Sequence, residues 1–420
     1  MVGIFVFAVN EHSDGIIFRL VTFMPPNISP LPPIEIILFM KKVFYCTVVA
    51  WALFEAANVY FIMPMPGSQR MESIALAYFL YKWRWVFRGV LALVLLLSFW
   101  RSTFKYKWAP LASALALGAL AYVINFQMAA DHMFYQPDQL LMKKAAENKV
   151  DSNRIVIGIV RNGEARAYPI QFIGYHHQVR DVIGNQPIMV TYCTVCRSGR
   201  VFLPEVEGRR EQFRLVGMDH FNAMFEDATT RSWWRQENGV AVAGPLQGAV
   251  LPELPCEQMA LRQWLALHPQ SLVMQPDPAY SEEYDHMKNY ESGRGKSDLT
   301  RTDSLSWKEK SWVVGIEIGN DAKAFDWNKL KQQKLINAQV GKTPIVLALT
   351  PDSLGFVAFE RPKGLSEFFL ARDTLVSGNN RYDLAGRPIA PPDASRLKKV
   401  NAYQEFWHSW SVFHPTGERY

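Results

Sequence analysis

The sequence predicts an α+β, β-rich protein: two tandem homologous units of short antiparallel strands and hairpins, preceded by about three transmembrane helices. Three observations predict it. Three apolar stretches, Val43–Met63, Trp85–Trp100 and Trp108–Gln127, lie in the first third of the chain. From about residue 150 they give way to short β-runs separated by turn residues. One pattern also occurs twice: Ile157-Gly158-Ile159-Val160-Arg161-Asn162-Gly163-Glu164-Ala165-Arg166-Ala167-Tyr168 returns as Val314-Gly315-Ile316-Glu317-Ile318-Gly319-Asn320-Asp321-Ala322-Lys323-Ala324-Phe325. At the same offset Gly184 aligns with Gly341, and later Trp264-x-x-x-His268-Pro269 aligns with Trp410-x-x-x-His414-Pro415. Repetition of this kind normally marks one supersecondary block per copy. It also acts as a control, because what both copies keep reads as scaffold and what only one holds reads as chemistry.

Length and composition bound the answer. A chain of 420 residues predicts two to three domains with ample core. The net charge of +6 fits nucleic acid or a membrane surface. Much of the Lys and Arg between residues 41 and 107 flanks the apolar runs, and no nucleic-acid module follows. The expected partner is therefore a lipid bilayer and not nucleic acid.

Residues 1–39 hold Pro25, Pro26, Pro30, Pro32 and Pro33 without a sustained period, whereas Met40-Lys41-Lys42 before an apolar run looks like a bacterial start with a signal-anchor. The expectation is a poorly ordered or mis-assigned extension over 1–39, then a transmembrane region over 40–128. Two of its stretches approach the roughly 20 residues that cross a hydrocarbon core, and the shorter second one extends back into Ser73–Tyr81. Trp83, Trp85, Trp100 and Trp108 lie near the ends, where amphipathic rings favour the interface. Lys41, Lys42, Arg101, Lys105 and Lys107 share one face against Arg70, Lys82 and Arg84 on the other. The positive-inside bias then places the domain after Gln127 outside the cytoplasm, in the periplasm if the protein sits in a bacterial inner membrane. Glu55 lies within the first span, where an ionisable group is expensive, and packing against Arg88 is the favoured explanation.

The soluble part divides into a first β-rich unit over 150–270, a linker or long loop over 271–310, and a second, degenerate unit over 311–416. Arg154–Val160, Asn162-Gly163 and Glu164–Tyr168 have the pattern of a two-residue hairpin, since Asn-Gly tolerates the positive φ of a type I′ turn. A second hairpin is expected over Gln178–Ile183 and Pro187–Tyr192, turning at Gly184-Asn185. Helical patterns are few: Ile170–Tyr175, Gln258–His268 and Tyr403–Trp410. The intervening segment is charged, with Gly293, Gly295 and many serines.

Only the first copy holds Cys193-Thr194-Val195-Cys196; its sibling has Thr350 at Cys193, Gln333 at His176 and Lys334 at His177. A turn centred on Asn185 places His177 opposite Cys193, within a residue or two of register. Directly opposed residues have Cβ atoms about 4.5–5.5 Å apart, close enough for sulfur and imidazole to share a metal ion or a proton. Three readings stay open. A transition-metal site would use Cys193, Cys196, His176, His177 and His220, a set suited to copper or zinc. Thiol-redox chemistry would use Cys193 and Cys196, with Arg197 beside them favouring thiolate. In the third, the cysteines only brace a loop of a non-catalytic envelope binding or structural module. Elsewhere, Trp233-Trp234 reads as core before ligand platform, Asp219, Glu226 and Asp227 as turn acids before general bases, and His268 and His414 as helix-end scaffold. No phosphate loop, nucleophile elbow or zincin helix occurs, and Arg197 replaces the histidine of a covalent haem signature.

At Asn162-Gly163-Glu164-Ala165-Arg166-Ala167-Tyr168-Pro169 and at Val190-Thr191-Tyr192-Cys193-Thr194-Val195-Cys196 the chain resembles a bacterial family catalogued as domain of unknown function 3179. Trp233-Trp234 ahead of Gly244-Pro245-Leu246 extends the likeness, which covers roughly residues 130–415. Many members have Pro-Leu where this sequence has Thr194-Val195. Some replace the second cysteine, which implies a site in which Cys193 is primary. The resemblance implies relatives in fold and carries no established reaction.

Overall fold

The computed structural model describes the backbone of Ile4–Ala8 and Phe18–Thr22 and the residues 33–295 and 297–420. Most of the extension expected over 1–39 lies outside the described residues. Within it, Ile4–Ala8 and Phe18–Thr22 pair antiparallel, and a helix already starts at Pro33.

Among the described residues, three helices are long and apolar enough to cross a membrane: α1 (Pro33–Tyr60), α2 (Ile74–Trp100), and α3 (Trp108–Tyr122), which a π-helical turn extends to Gln127. The second apolar stretch does borrow the turns before it, which brings α2 to 27 residues. Contacts divide the chain into two compact units. One holds residues up to Phe54 together with Arg84–Leu120, where Phe44 packs against Phe99 and Phe104, and Phe54 against Phe87. The other holds Glu55–Trp83 and everything from Ala121 onward. In this second unit Glu55 accepts a hydrogen bond from Asn125 Nδ2 at 3.0 Å. The loop after α1 docks on the β-region: Ile62 O accepts from Met218 N at 2.7 Å, and Tyr78 and Tyr81 pack on Trp233. Gly217 is required there, since a Cβ would meet Ile62 O at 2.3 Å.

The β-region consists of two lobes with one strand order. In the first, Glu257–Ala260, Ile155–Arg161, Glu164–Pro169 and Leu272–Met274 lie side by side, the last pair parallel and the others antiparallel. In the second, Ala402–Phe406, Trp312–Ile318, Asp321–Asp326 and Glu418–Arg419 repeat that order and those directions. Each lobe adds a short helix (Ile170–His176; Trp327–Gln333) that ends on a left-handed residue, His177 or Lys334. Each then adds a hairpin (Gln178–Ile183 with Gln186–Cys193; Leu335–Val340 with Thr343–Leu349) and a four-stranded meander.

Both lobes close with a Trp-bearing helix, Leu261–Leu267 or Trp407–Phe413. The helical pattern expected from Gln258 or Tyr403 starts three or four residues late. The leading residues instead pair as edge strands with Ile155–Gly158 and Trp312–Ile316, where Met259 and Phe406 reach the core. Strand pairing satisfies backbone groups that a short helix would leave open at its N-terminus.

The segment expected as a linker or long loop packs against the first lobe. Tyr280, Tyr284 and Tyr290 are buried in its core. Glu291 accepts from Ile155 N at 3.2 Å and Gln171 N at 3.1 Å.

Candidate functional site

Gln186–Cys193 and Ser198–Phe202 are neighbouring strands, and Cys193 pairs with Ser198. Thr194-Val195-Cys196-Arg197 therefore form a four-residue turn, closed by Arg197 at φ 61°. The turn brings Cys196 back towards Cys193. Both also face the backbone carbonyl of Phe221, Cys193 Sγ at 3.5 Å and Cys196 Sγ at 3.3 Å.

That carbonyl comes from an unusual turn. Asp219 pairs with Asn222, so His220 and Phe221 are the whole connection, at φ 50° and 67°. Two-residue hairpins favour this geometry, but with Asn and Gly rather than bulky residues. Left-handed non-glycine residues cost about 1–3 kcal/mol each and cluster at functional sites. Gln69, from the loop after α1, accepts from Phe221 N at 3.0 Å and so fixes the turn from behind. Asn222 Nδ2 donates to Cys196 Sγ at 3.5 Å.

The two thiols are fully buried and are driven apart in acidity. Burial acts to raise Cys193, yet hydrogen bonds from the Cys196 side chain and from the backbone of Cys196, Ala223 and Val195 outweigh it and hold Cys193 below the ordinary thiol value. Burial and the adjoining Cys193 push Cys196 well above that value. Cys193 is thus the more acidic of the two thiols and Cys196 the less acidic. The nearby cation is Lys310, with its own pKa lowered by burial; its Nζ donates to Val195 O at 2.9 Å and Leu299 O at 2.7 Å. His408 Nε2 lies 3.1 Å from Lys310 Nζ and 3.0 Å from Val195 O. Burial and the Lys310 charge depress this imidazole to about 3, so it is neutral.

The other expected site residues are elsewhere. The hairpin turns at Gly184-Asn185 with both residues at positive φ, which sets His177 against Tyr192 and not Cys193. One residue of register exchanges the faces of a strand. His177 Nδ1 bonds Tyr192 O at 2.8 Å, and its ring packs edge-on to Phe134. His176 points into a tyrosine cluster, with Nε2 2.6 Å from Tyr284 OH. His220 Nδ1 pairs with Asp219 Oδ1 at 2.6 Å. Among the described residues, no three His, Cys, Asp or Glu side chains converge on a point that would hold a metal ion.

Arg197 also turns from the sulfurs. Its guanidinium donates to Gln404, Tyr290 O and Glu291 O and stacks 3.5 Å from the centroid of Trp312, fastening the 276–310 segment. Trp233 and Trp234 are buried, and their indole N–H groups donate to Glu226 and Asp227. These acids are structural acceptors, and Asp219 pairs with His220 and Arg235. Lys310, His408, Asn222 and Gln69 were not legible as site residues, because each comes from a segment apart in sequence and carries no local motif. A cavity of about 810 Å³, lined by Cys256, His268, Phe356 and Arg387, lies apart from the thiols and shares no lining residue with them.

Residues 137–417 match a family described as "Protein of unknown function (DUF3179)", a span that takes in both lobes. The chain belongs to this family. No curated relative and no solved structure matches it.

Proposed function

We propose that this is a membrane-anchored cell-envelope protein whose first lobe carries a thiol-redox pair, Cys193 as nucleophilic thiolate and Cys196 as its proton-holding partner. The observation that carries the reading is two fully buried sulfurs that face one strained carbonyl, Phe221 O, Cys193 Sγ at 3.5 Å and Cys196 Sγ at 3.3 Å. The second lobe reads as a duplicate that kept the scaffold, lost the cysteines, and supplies His408 to its sibling's site. Placement in a bacterial inner membrane with the lobes in the periplasm rests on the basic residues around α1 and α2. Docking of the α1–α2 loop on the lobes supports three crossings, which put that loop and everything after α3 on one face.

A metal reading has too few ligands for zinc, which takes four in structural sites and three plus water in catalytic ones. Two thiolates suit only a soft ion such as copper(I). Metal analysis of anaerobically purified wild type and Cys193→Ser decides this: stoichiometric copper lost in the variant would replace the redox reading. The redox test is an equilibrium one. Full-length protein in lipid nanodiscs is held in graded mixtures of reduced and oxidised dithiothreitol, quenched, alkylated and mapped by mass. A Cys193–Cys196 disulfide should form and reverse along the series. Thiols that stay reduced at the oxidising end, with the fold intact, would leave only the loop-bracing role.

A further inference from the structure

The duplication leaves a partner missing at the cavity of about 810 Å³. In the second lobe His414 stacks on Trp410, and its Nε2 is 3.3 Å from Glu317 Oε2. In the first lobe His268 packs on Trp264 at 4.2 Å, but Val160 holds the place of Glu317: Val160 pairs with Ala165 as Glu317 pairs with Ala322. The consequence is visible at the ring, where His268 Nε2 is buried without a hydrogen-bond partner. Both His268 and Val160 line the cavity. Buried polar atoms are rarely left unpaired, so this nitrogen calls for a partner from outside the chain.

The rest of the wall says which chemistry that partner has. Burial first, and then the charges of Lys399, Arg387 and Arg396 against that of Glu257, hold the imidazole at about 4, so it is neutral and can donate from Nε2. Arg387, Arg396 and Lys399 line the same cavity. Arg387 Nη2 donates to Leu267 O at 3.2 Å, and Arg396 Nε and Nη2 donate to Ala385 O at 3.3 and 3.0 Å. These carbonyls fix the two forks without neutralising them, and a guanidinium fork matches a carboxylate. The two acids of the lining are already paired, Glu257 with Lys399 and Glu164 with Arg166 at 3.4 Å. Away from the charges the lining is apolar and drawn from both lobes: Val160, Leu267 and Leu272 from the first, Phe356, Phe359 and Val400 from the second. A volume of about 810 Å³ is within the roughly 300–1,000 Å³ of small-molecule sites.

We propose that this cavity binds an organic carboxylate with an apolar body, whose head takes the place that Glu317 fills in the second lobe. The head accepts from His268 Nε2 and faces Arg387 and Arg396, while the chain or ring lies against the apolar wall. Neither sulfur lines the cavity, so the site stands or falls independently of the thiol reading.

The test uses full-length protein in nanodiscs, dialysed to equilibrium against radiolabelled octanoate, with empty discs as the blank. Wild type should bind octanoate saturably, one per chain. Val160→Glu supplies the sibling's carboxylate from within and should weaken binding roughly 10-fold or more, the scale of a charged hydrogen bond, with a melting temperature no lower than wild type. Val160→Thr, close in size and uncharged, should bind as wild type does. The exposed pair Arg387→Gln and Arg396→Gln, made together, should lose affinity to a similar degree. As competitors, octanol, butyrate and inorganic phosphate should each be at least roughly 10-fold weaker, because each lacks the head or the body. Hexadecanoate placed in the disc bilayer displaces octanoate if the natural ligand is a membrane lipid, whereas displacement only by acids added in water marks a soluble metabolite. No saturable binding above empty discs overturns the proposal and leaves His268 to water. Wild-type affinity in Val160→Glu, or phosphate or octanol binding as tightly as octanoate, overturns it equally.

Discussion

Replacing Gly158 by alanine tests the packing that both lobes share. A Cβ at this position would stand 2.3 Å from Trp264 Cζ3 and 2.4 Å from Cε3. Carbon atoms rest about 3.5–4.0 Å apart, so the indole must retreat by more than about 1 Å. Trp264 is fully buried, and its Nε1 donates to Ser271 Oγ at 2.7 Å. Overpacking costs about 1–3 kcal/mol, and disturbing that hydrogen bond about 1 kcal/mol more. Alanine in a strand returns about 0.5–1 kcal/mol over glycine. The net loss is about 2 kcal/mol, which lowers Tm by roughly 4–8 °C at the scale of a large domain. Gly315 faces Trp410 still more closely, at 2.0 Å, but that indole nitrogen is buried without a partner and has no bond to lose. The two substitutions should therefore have similar effects. Thermal melts followed by tryptophan fluorescence in nanodiscs measure this, and Gly158→Ala combined with Trp264→Leu completes a double-mutant cycle. The smaller side chain should relieve the clash, giving a coupling of at least about 1 kcal/mol. Additive losses in the double variant, or a Gly158→Ala protein as stable as wild type, would refute the argument.

Two further outcomes are expected beside the disulfide equilibrium. Arg197→Lys should destabilise by about 3 kcal/mol, because an ammonium cannot span Gln404 and two carbonyls or stack on Trp312 as the guanidinium does; the pH dependence of Cys193 alkylation should not move, and a shift would return Arg197 to the role its sequence position implied. Burial depresses His177 to about 4, His268 to about 4 and His408 to about 3. Each stays neutral when folded but takes a proton near 6.5 when unfolded, so its stability is present above about pH 6.5 and lost as the pH falls towards 4. Melts between pH 4 and 8 should show that acid limb, shallower in His408→Gln, and an unchanged limb would contradict the assignment.

The sequence was most legible where local chemistry decides geometry. Asn162-Gly163 and Gly184-Asn185 turn as written, since positive φ selects those residues. The spacing of small residues against Trp264 and Trp410 marked the same close approach twice. Legibility failed where a single residue of register mattered: Asn185 as the turn centre, rather than Gly184-Asn185, set His177 against sulfur when it faces Tyr192. His177 and Lys334 occupy one left-handed helix end in the two lobes, so the apparent loss of a ligand in the second copy is a capping position filled by different side chains. The charged, glycine-bearing stretch after residue 276 read as a linker or long loop, and its packing was not legible because its buried tyrosines have no period to announce them.

From the chain alone came the three apolar helices, the β-rich class, the twofold pattern and the prominence of Cys193 and Cys196, because each is written in short-range spacing that polymer geometry converts directly into shape. Tertiary structure alone decided what surrounds the sulfurs. The carbonyl of Phe221 and the amide of Asn222 reach them from another hairpin, and the amine of Lys310 holds the Val195 carbonyl of the turn between them. Contacts across such separations depend on how whole sheets pack, and no local pattern encodes them.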